Sequence, residues 1–220
     1  MLLDLHNHTR HSPDSRVAPS ELVTLARRIG LQGLAITDHN AVAGIGEAMS
    51  AAGKEFLVLP GIEVSTASGH VLGYGVREVI PRDRSVAETV ERITALGGIA
   101  VAAHPFRFWS GLGSEALGEA QFSAFETANG RTLRRGNERA RERARASKVG
   151  ETGGSDSHFL DEVARAVTSV DSGITTADDL LQQLAAGKTR SQGFDRDVSG
   201  TFRYVPKAVG EWVVRGMKRI

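Results

Sequence analysis

The sequence predicts an α/β protein built around a largely parallel sheet. Short apolar segments suited to strands alternate with segments of helical periodicity. Most of the histidines, and several acidic residues, stand where one of the apolar segments ends. A chain of 220 residues with 40% hydrophobic and 24% charged residues can form an ordinary globular core. We therefore expect a single domain over residues 1–220, with residues 187–220 as a C-terminal extension packed on it.

The first half of the chain contains four predicted strands and two predicted helices. Apolar residues at helical spacing predict a helix over residues 19–29, and Gly30 provides a stop. A weaker helix is predicted over residues 42–52. The strands are predicted in "LLDLH" (residues 2–6), in "GLAITDHN" (residues 33–40), in "EFLVLPGIEVS" (residues 55–65) and in "HVLGYGV" (residues 70–76).

The second half continues the alternation. Ser85 with Glu88, and Thr176 with Asp179, have the spacing of helix-capping boxes. They predict helices that end at Gly97 and Gly187, and a charge-rich helix is predicted over about residues 131–148. Strands are predicted in "GIAVAAHP", "AFETANG" and "ETGGSDSH". We expect "GLGSEALG" to be a flexible rim loop, residues 187–203 to be a long loop, and residues 206–217 to be an amphipathic segment.

Composition excludes several classes of function. The net charge of +1 gives no field suited to gripping nucleic acid, which is therefore expected only as a substrate. The absence of cysteine rules out disulfides, a thiolate nucleophile and thiolate-bound metal. No apolar run is long enough for a membrane span, and the N-terminus lacks the pattern of a signal peptide. A cytoplasmic location and no membrane partner are expected.

The histidines follow the ends of predicted strands. Five of the seven histidines stand at such ends and His70 begins a strand, while His11 lies in a loop and is expected to be an ordinary surface residue. Because parallel strands direct their C-terminal ends to one rim, the side chains there should converge. The strand-end residues are His6, His8, Asp38, His39, Glu63, His104, Asp156 and His158, and His70 begins a strand.

Spacing makes a metal site the preferred interpretation. His6 and His8 are alternate residues, and so are Asp156 and His158, which places each pair on one face about 6.6 Å apart if the strand is regular. Two such pairs can grip metal ions from more than one side. Isolated turn residues or core histidines would explain any one position, but not the whole pattern.

Five motifs in order resemble the polymerase-and-histidinol-phosphatase (PHP) family. They are "DLHNHTRHSPDS", "AITDHN", "GIEVS", "AHPFR" and "GGSDSH", and they span residues 4–158. The resemblance implies a distorted (β/α)7 barrel with two or three divalent ions, zinc, manganese or iron, at the C-terminal rim of its strands. It also implies hydrolysis of phosphoesters.

The resemblance assigns ligands position by position. His6, His8, Glu63 and Asp156 match the ligands of a first metal. Glu63 would bridge to a second metal, which His104 and, more weakly, His70 would also bind. Asp14, His39 and His158 match a third metal. Some family members have histidine where this chain has Asp14, and an oxygen ligand shifts that site toward manganese or iron.

Further roles follow from charge and position. Glu63, Asp38 and Arg107 are the candidate catalytic residues, with Asp38 handling protons or supporting a ligand. Arg107, three residues beyond His104, could fork onto phosphoryl oxygens, and Arg131 is a second candidate for binding substrate. Asp4 is predicted either to orient a ligand histidine or to fill the barrel floor.

We expect a phosphomonoesterase that acts on a small phosphorylated metabolite or nucleotide through metal-activated hydroxide. Three divalent ions, less three carboxylates and one hydroxide, leave about two positive charges, which suits a phosphomonoester dianion. An exonuclease of the same family is the alternative, and a non-catalytic binding protein or a metal-dependent amidohydrolase is less favoured. The leaving group, the native metal and the oligomeric state stay open.

Overall fold

A computed structural model describes residues 1–193 and 209–210. The predicted amphipathic segment at residues 206–217 lies outside this part, apart from residues 209–210, and so does most of the proposed C-terminal extension. In chain order the elements are β1 (Leu2–Asp4), α1 (Pro19–Arg28), β2 (Gly33–Ile36), α2 (Gly44–Ala52), β3 (Leu57–Thr66), β4 (Gly69–Tyr74), α3 (Val86–Ala95), β5 (Ile99–Ala102), α4 (Gly113–Ala116), β6 (Ala124–Asn129), α5 (Arg134–Ser147), β7 (Gly150–Gly154), a 3₁₀ turn (Leu160–Glu162), β8 (Ala166–Ser169), α6 (Ala177–Ala185) and β9 (Arg190–Gly193).

The nine strands form one sheet in the order β7-β6-β5-β4-β3-β2-β1-β8-β9. The sheet curves into a nearly closed barrel, because the segment after β7 bonds to the segment after β1. The amide of Asp156 donates to the carbonyl of His6 at 2.7 Å, and the amide of His8 donates to the carbonyl of Ser157 at 2.9 Å. The predicted barrel is confirmed, and its closure lies directly beside the expected rim.

The sheet is mixed, so the expectation of a largely parallel sheet was only partly correct. Strands β1, β2 and β3 run parallel to one another, as do β5, β6 and β7. Strand β4 runs antiparallel to both of its neighbours, and a tight turn at residues 67–68 folds it back along β3. Strand β8 is antiparallel to β1, and β9 is antiparallel to β8.

Three expected loops or boundaries were wrong. Residues 190–193 of the expected long loop form β9, which pairs with β8 along its length. The expected flexible rim loop contains α4, because Leu112 and Ala116 are buried in the core and fix this turn. Strand β3 continues to Thr66, so Glu63 lies inside a strand instead of at its end.

Apolar side chains fill the interior of the barrel and pack between its outer surface and the helices. Alternate strand residues such as Leu3, Leu59 and Leu72 meet inside the barrel, where α6 contributes Leu180 and Leu184. Other clusters pack α1 and α2 against β2, and α3 against β3 to β5. The predicted capping boxes at Ser85 and Thr176 are present. No helix in the described part of the chain combines the length and apolar character needed to cross a membrane.

Gly154 is required where β7 approaches β1. A Cβ atom at this position would stand 2.3 Å from the Cβ atom and 2.6 Å from the backbone nitrogen of His6. We expect Gly154→Ala to lower the free energy of unfolding by about 1–3 kcal/mol, because the backbone of β1 must shift. Urea denaturation measures this change in the free energy of unfolding.

Gly46→Ala in α2 is the control. A Cβ atom at Gly46 would meet nothing within 4 Å, and the substitution should stabilise the protein by about 0.5–1 kcal/mol. Equal stability of Gly154→Ala and wild type would contradict the close approach.

Candidate metal centre

The structure brings all nine residues predicted as metal ligands to one site at the C-terminal end of the barrel. Loops that follow β1, β2, β5 and β7 supply most of them, and the β3–β4 hairpin supplies the others. All are buried except His70, whose side chain keeps 13% of its exposure. They are His6, His8, Asp14, His39, Glu63, His70, His104, Asp156 and His158.

The Glu63 carboxylate lies at the middle of this group. One oxygen, Oε1, is 2.9 Å from His70 Nδ1 and 2.9 Å from His104 Nε2. The other, Oε2, is 3.1 Å from His6 Nε2, 3.2 Å from His8 Nε2 and 3.2 Å from His39 Nδ1. A single carboxylate that faces imidazoles on both oxygens has the geometry of a bridging ligand.

A first group consists of His6, His8, Glu63 and Asp156, each with a ligand atom within 4.8 Å of the others. The Nε2 atoms of His6 and His8 are only 3.2 Å apart, and His8 Nε2 is 3.2 Å from Asp156 Oδ1. Ligand atoms about 2.0–2.2 Å from one ion would lie at separations of this order.

A second group surrounds Asp14. His158 Nε2 lies 2.9 Å from Asp14 Oδ2, and His39 Nε2 lies 3.6 Å from the same oxygen. His8 completes the group. The Ser12 hydroxyl donates to the other Asp14 oxygen at 2.7 Å and thereby orients the carboxylate. Asp14 therefore stands among histidines, as the position of a metal-binding carboxylate requires.

A third group joins His39, Glu63 and His70, with His104 beside it. Nδ1 of His104 is buried and makes no hydrogen bond to any described residue, whereas Nδ1 of His39 lies 3.2 Å from Glu63 Oε2 without hydrogen-bond geometry. Buried polar atoms without a partner are rare and call for an explanation. Imidazole and carboxylate ligands suit zinc, manganese and iron, so the donor set fits two or more divalent ions.

The cluster keeps its carboxylates ionised. Burial alone would raise the pKa of Glu63, of Asp14 and of Asp156, but the adjoining histidines, together with Arg107 at Asp156, hold all three well below their usual range. Burial opposes charge on His8 as well, yet hydrogen bonds to Asp156 and Glu63 raise its pKa to about 9. A divalent ion would replace such protons, since a metal ligand must be deprotonated.

Glu126 is a site residue that the sequence analysis missed. Its Oε1 atom is 2.9 Å from His6 Nδ1, and its Oε2 atom accepts from the amide of His104 at 2.8 Å and from Asn129 Nδ2 at 3.0 Å. A proton on His6 Nδ1 leaves Nε2 unprotonated, and Nε2 faces the cluster. Glu126 lies inside the predicted strand "AFETANG", where no histidine stands near it in sequence to mark it as a site residue.

Both predicted arginines reach the cluster. Arg107 donates through Nη2 to Asp156 Oδ2 and, at 2.6 Å, to Asn129 Oδ1, while Nε lies 3.3 Å from Thr132 Oγ1. The side chain of Arg107 is 13% exposed, so it borders both the cluster and solvent.

Arg131 lies deeper than Arg107, with a side chain that is 3% exposed. Its Nη1 atom is 2.9 Å from His158 Nδ1, and its Nε atom is 3.6 Å from Glu162 Oε2. Glu162, also missed from sequence, accepts the amide of His158 at 3.0 Å. Arg131 is therefore a buried support of His158 in addition to a source of positive charge.

The two remaining acidic residues, Asp38 and Asp4, accept hydrogen bonds from backbone amides and so fix nearby loops. Both oxygens of Asp38 accept from Thr9, one from its amide and one from its hydroxyl. Asp4 accepts from the amides of Ser155 and Ala164 and from the Ser155 hydroxyl. Burial raises the pKa of Asp4 to about 6 in spite of these bonds. Asp4 contacts His6 only through its amide, at 3.4 Å, so it orients loops rather than an imidazole.

Comparison with known protein families matches a segment in the second half of the chain. Residues 134–189 match the model of a family described as PHP-associated, which covers α5 through α6. This segment lies largely beyond the five motifs noted above and contains Asp156 and His158.

Three relatives match parts of this chain at moderate identity. An uncharacterised protein of Methanocaldococcus jannaschii is 37% identical over 118 residues, which cover 48% of this chain and 68% of that protein. The 3',5'-nucleoside bisphosphate phosphatase of Chromobacterium violaceum is 36% identical over 84 residues, 36% of this chain and 29% of that enzyme. The 5'-3' exoribonuclease Rnm of Salmonella typhimurium is 34% identical over 105 residues, 44% and 36% of the two chains. The match thus spans less than half of each named enzyme.

Solved structures share the fold at low sequence identity. PsfC of Pseudomonas syringae superposes with a TM-score of 0.70 over 97% of this chain and 98% of its own, at 19% identity. An amidohydrolase of Chromobacterium violaceum, solved with sulfate and without metal, gives a TM-score of 0.65 over 82% and 95% of the two chains, also at 19% identity. Motif order, the family match and the relatives agree: the chain belongs to the PHP family.

Proposed function

We propose that this protein is a phosphomonoesterase that releases phosphate from a small phosphorylated metabolite or nucleotide. His6, His8, Glu63 and Asp156 would hold one divalent ion. Glu63 would share a second ion with His104 and His70, and Asp14, His39 and His158 would hold a third. When bound, such ions lower the pKa of water toward neutrality and neutralise phosphoryl oxygens.

The observation that carries the proposal is the pair of guanidinium groups at the cluster. Arg107 contacts the carboxylate of Asp156, and Arg131 contacts the imidazole of His158. Glu126 and Glu162 offset these two charges, so about two positive charges of a three-ion cluster stay uncompensated. A phosphomonoester dianion matches that excess better than a diester, which has one negative charge.

The protein's own groups divide the work between binding and positioning. Arg107 is the arginine that borders solvent, and we expect it to take phosphoryl oxygens. Arg131 is buried and holds His158. Asp38 is expected to position the loop that begins at His8, because both of its oxygens are committed to Thr9. This replaces the proton-handling role considered from sequence.

A 5'-directed exonuclease is the second candidate. Helix α5 begins three residues after Arg131 and contains six arginines against two glutamates. Five of these arginines are exposed, and the phosphate backbone of a nucleic acid is attracted to such a surface. A relative named as an exoribonuclease supports the same direction.

Matched aryl esters separate the two candidates. The test compares kcat/KM for 4-nitrophenyl phosphate and bis(4-nitrophenyl) phosphate, in parallel with a short 5'-phosphorylated RNA, with zinc, manganese and iron supplied separately. We expect the monoester to be preferred. A preference for the diester together with stepwise shortening of the RNA would favour the exonuclease, and no hydrolysis of any ester with any metal would contradict both.

Glu126→Gln tests the support of the proposed first ion. The amide cannot accept the His6 proton and the His104 amide with the same strength as a carboxylate. We expect metal affinity to fall about 10–100-fold, the range typical of lost outer-shell partners. Calorimetric titration of the protein with metal measures this affinity. Glu88→Gln, on the surface at the start of α3, is the control. Unchanged affinity in Glu126→Gln would remove Glu126 from the metal centre.

A further inference from the structure

Two aromatic side chains stand exposed on the loop that follows Arg107. Phe108 is 88% exposed and Trp109 is 80% exposed, more than any other large hydrophobic side chain in the described part of the chain. Their rings lie edge to face, with centroids 4.7 Å apart. Exposing two apolar rings to water is unfavourable, and adjacent exposed aromatic side chains often mark a binding site.

The loop is held firmly on both sides of the pair. Phe106 packs against the core, with the guanidinium of Arg139 4.5 Å above its ring, and Leu112 is buried. The amide of Gly111 donates to the carbonyl of Arg107 at 3.1 Å. A Cβ atom on Gly111 would meet three backbone atoms of residues 105 and 107 within 2.7 Å. The tip is therefore a tightly closed turn that presents its two rings on a fixed base.

The loop that carries the pair packs against the β3–β4 hairpin: a Cβ atom on Gly69, next to His70 of the cluster, would stand 2.9 Å from the backbone of Gly111 and 3.0 Å from the carbonyl of Ser110. Arg107 immediately precedes Phe108, and its guanidinium contacts Asp156 of the cluster. A phosphoryl group at Arg107 would leave the rest of the substrate close to residues 108 and 109. A flat, uncharged group joined to a phosphate fits this arrangement, since aromatic side chains stack on every base whatever its sequence.

We propose that Phe108 and Trp109 form a stacking platform for the nucleobase of the substrate. The site would then prefer phosphorylated nucleosides to sugar phosphates that lack a base. This inference rests on the proposed phosphoesterase function and narrows its substrate class. It predicts base-tolerant recognition, because stacking on phenyl and indole rings does not read hydrogen-bond patterns.

Adenosine 5'-monophosphate and ribose 5-phosphate form the matched pair of probes, because they differ only by the base. We expect Trp109→Ala to lower kcat/KM for the nucleotide roughly 5- to 100-fold, the scale of one lost stacking contact, and to leave ribose 5-phosphate within about twofold. Trp109→Phe should keep most of the preference. Ile29→Ala, an exposed apolar residue after α1, is the control and should change neither rate. Equal losses on both probes would overturn the platform.

A binding measurement separates this inference from the proposed function. Quenching of tryptophan fluorescence by adenosine 5'-monophosphate requires no turnover, and the part contributed by Trp109 is the difference between wild type and Trp109→Phe. Quenching by the nucleotide and not by ribose 5-phosphate supports the platform even if no ester is hydrolysed. Absence of any Trp109-dependent quenching overturns it even if the phosphatase is active. A change in molecular mass in Trp109→Ala with unaltered nucleotide preference would assign the pair to contacts between copies and also overturn it.

Discussion

Glu63→Gln is expected to reduce phosphoesterase activity by roughly three orders of magnitude or more, since it removes charge shared by two proposed ions. The carboxylate faces His70 and His104 on one oxygen, and three further histidines on the other. An amide has one weakly basic oxygen and one nitrogen that cannot bind metal, so it cannot serve both sides. The measurement is kcat at saturating metal, together with metal content by elemental analysis.

His158→Ala and Glu47→Gln set the scale for this result. His158 belongs to the ligand group around Asp14 and not to the groups that contain Glu63, so its loss should lower activity partially, through one neutralising ion. Glu47 pairs with Arg10 at the surface, and Glu47→Gln should leave activity and metal content unchanged. Near-normal turnover of Glu63→Gln at saturating metal would show that the assigned bridge is wrong.

Arg107→Ala is expected to lower kcat/KM for a phosphomonoester by roughly 10- to 1000-fold, on the scale of removing one donor to a developing oxyanion. The guanidinium contacts Asp156, Asn129 and Thr132 at the edge of the cluster, and the side chain also borders solvent, from which a substrate would arrive. Arg107→Lys should recover only part of the activity, because an ammonium cannot fork onto two oxygens. The loss should be smaller for a diester, which gains less from the same charge.

Inhibition by inorganic phosphate tests the assigned role of Arg107 separately from its structural contacts. If Arg107 binds phosphoryl oxygens, the inhibition constant for phosphate should rise in Arg107→Ala along with KM, while thermal stability changes little. Arg10→Ala removes a surface arginine that pairs with Glu47, and it should alter neither quantity. Equal activity of wild type and Arg107→Ala on monoester and diester would exclude the clamp.

Local sequence could predict those parts of the fold that depend on contacts between residues close together in the chain. The capping boxes at Ser85 and Thr176 are formed by residues three positions apart, so their spacing was sufficient. Strand β9 was missed because "RSQG" has no apolar alternation, and only pairing with β8 makes it a strand. Strand β4 was predicted, but its direction depends on the turn at residues 67–68, which periodicity does not report.

The candidate site divides in the same way. The residues that face its centre were found because histidines and aspartates at strand ends are conspicuous. Glu126 was missed because it lies inside a strand with no histidine near it in sequence, and Glu162 was missed because an acid in a short turn resembles a solvated side chain. Their partners, His6 and the His158 amide, lie 120 and 4 residues away. Only the closed barrel shows that both acids are buried and support histidines of the cluster.

Metal-dependent phosphomonoesterase activity is the central claim, and one titration tests it most directly. Protein stripped with chelator is supplied with increasing manganese, zinc or iron, and hydrolysis of 4-nitrophenyl phosphate is recorded against equivalents of bound metal per chain. We predict that stripped protein is inactive and that activity rises to a plateau at about two to three bound equivalents. Activity that is the same before and after stripping, or a plateau reached with no bound metal, would contradict the account.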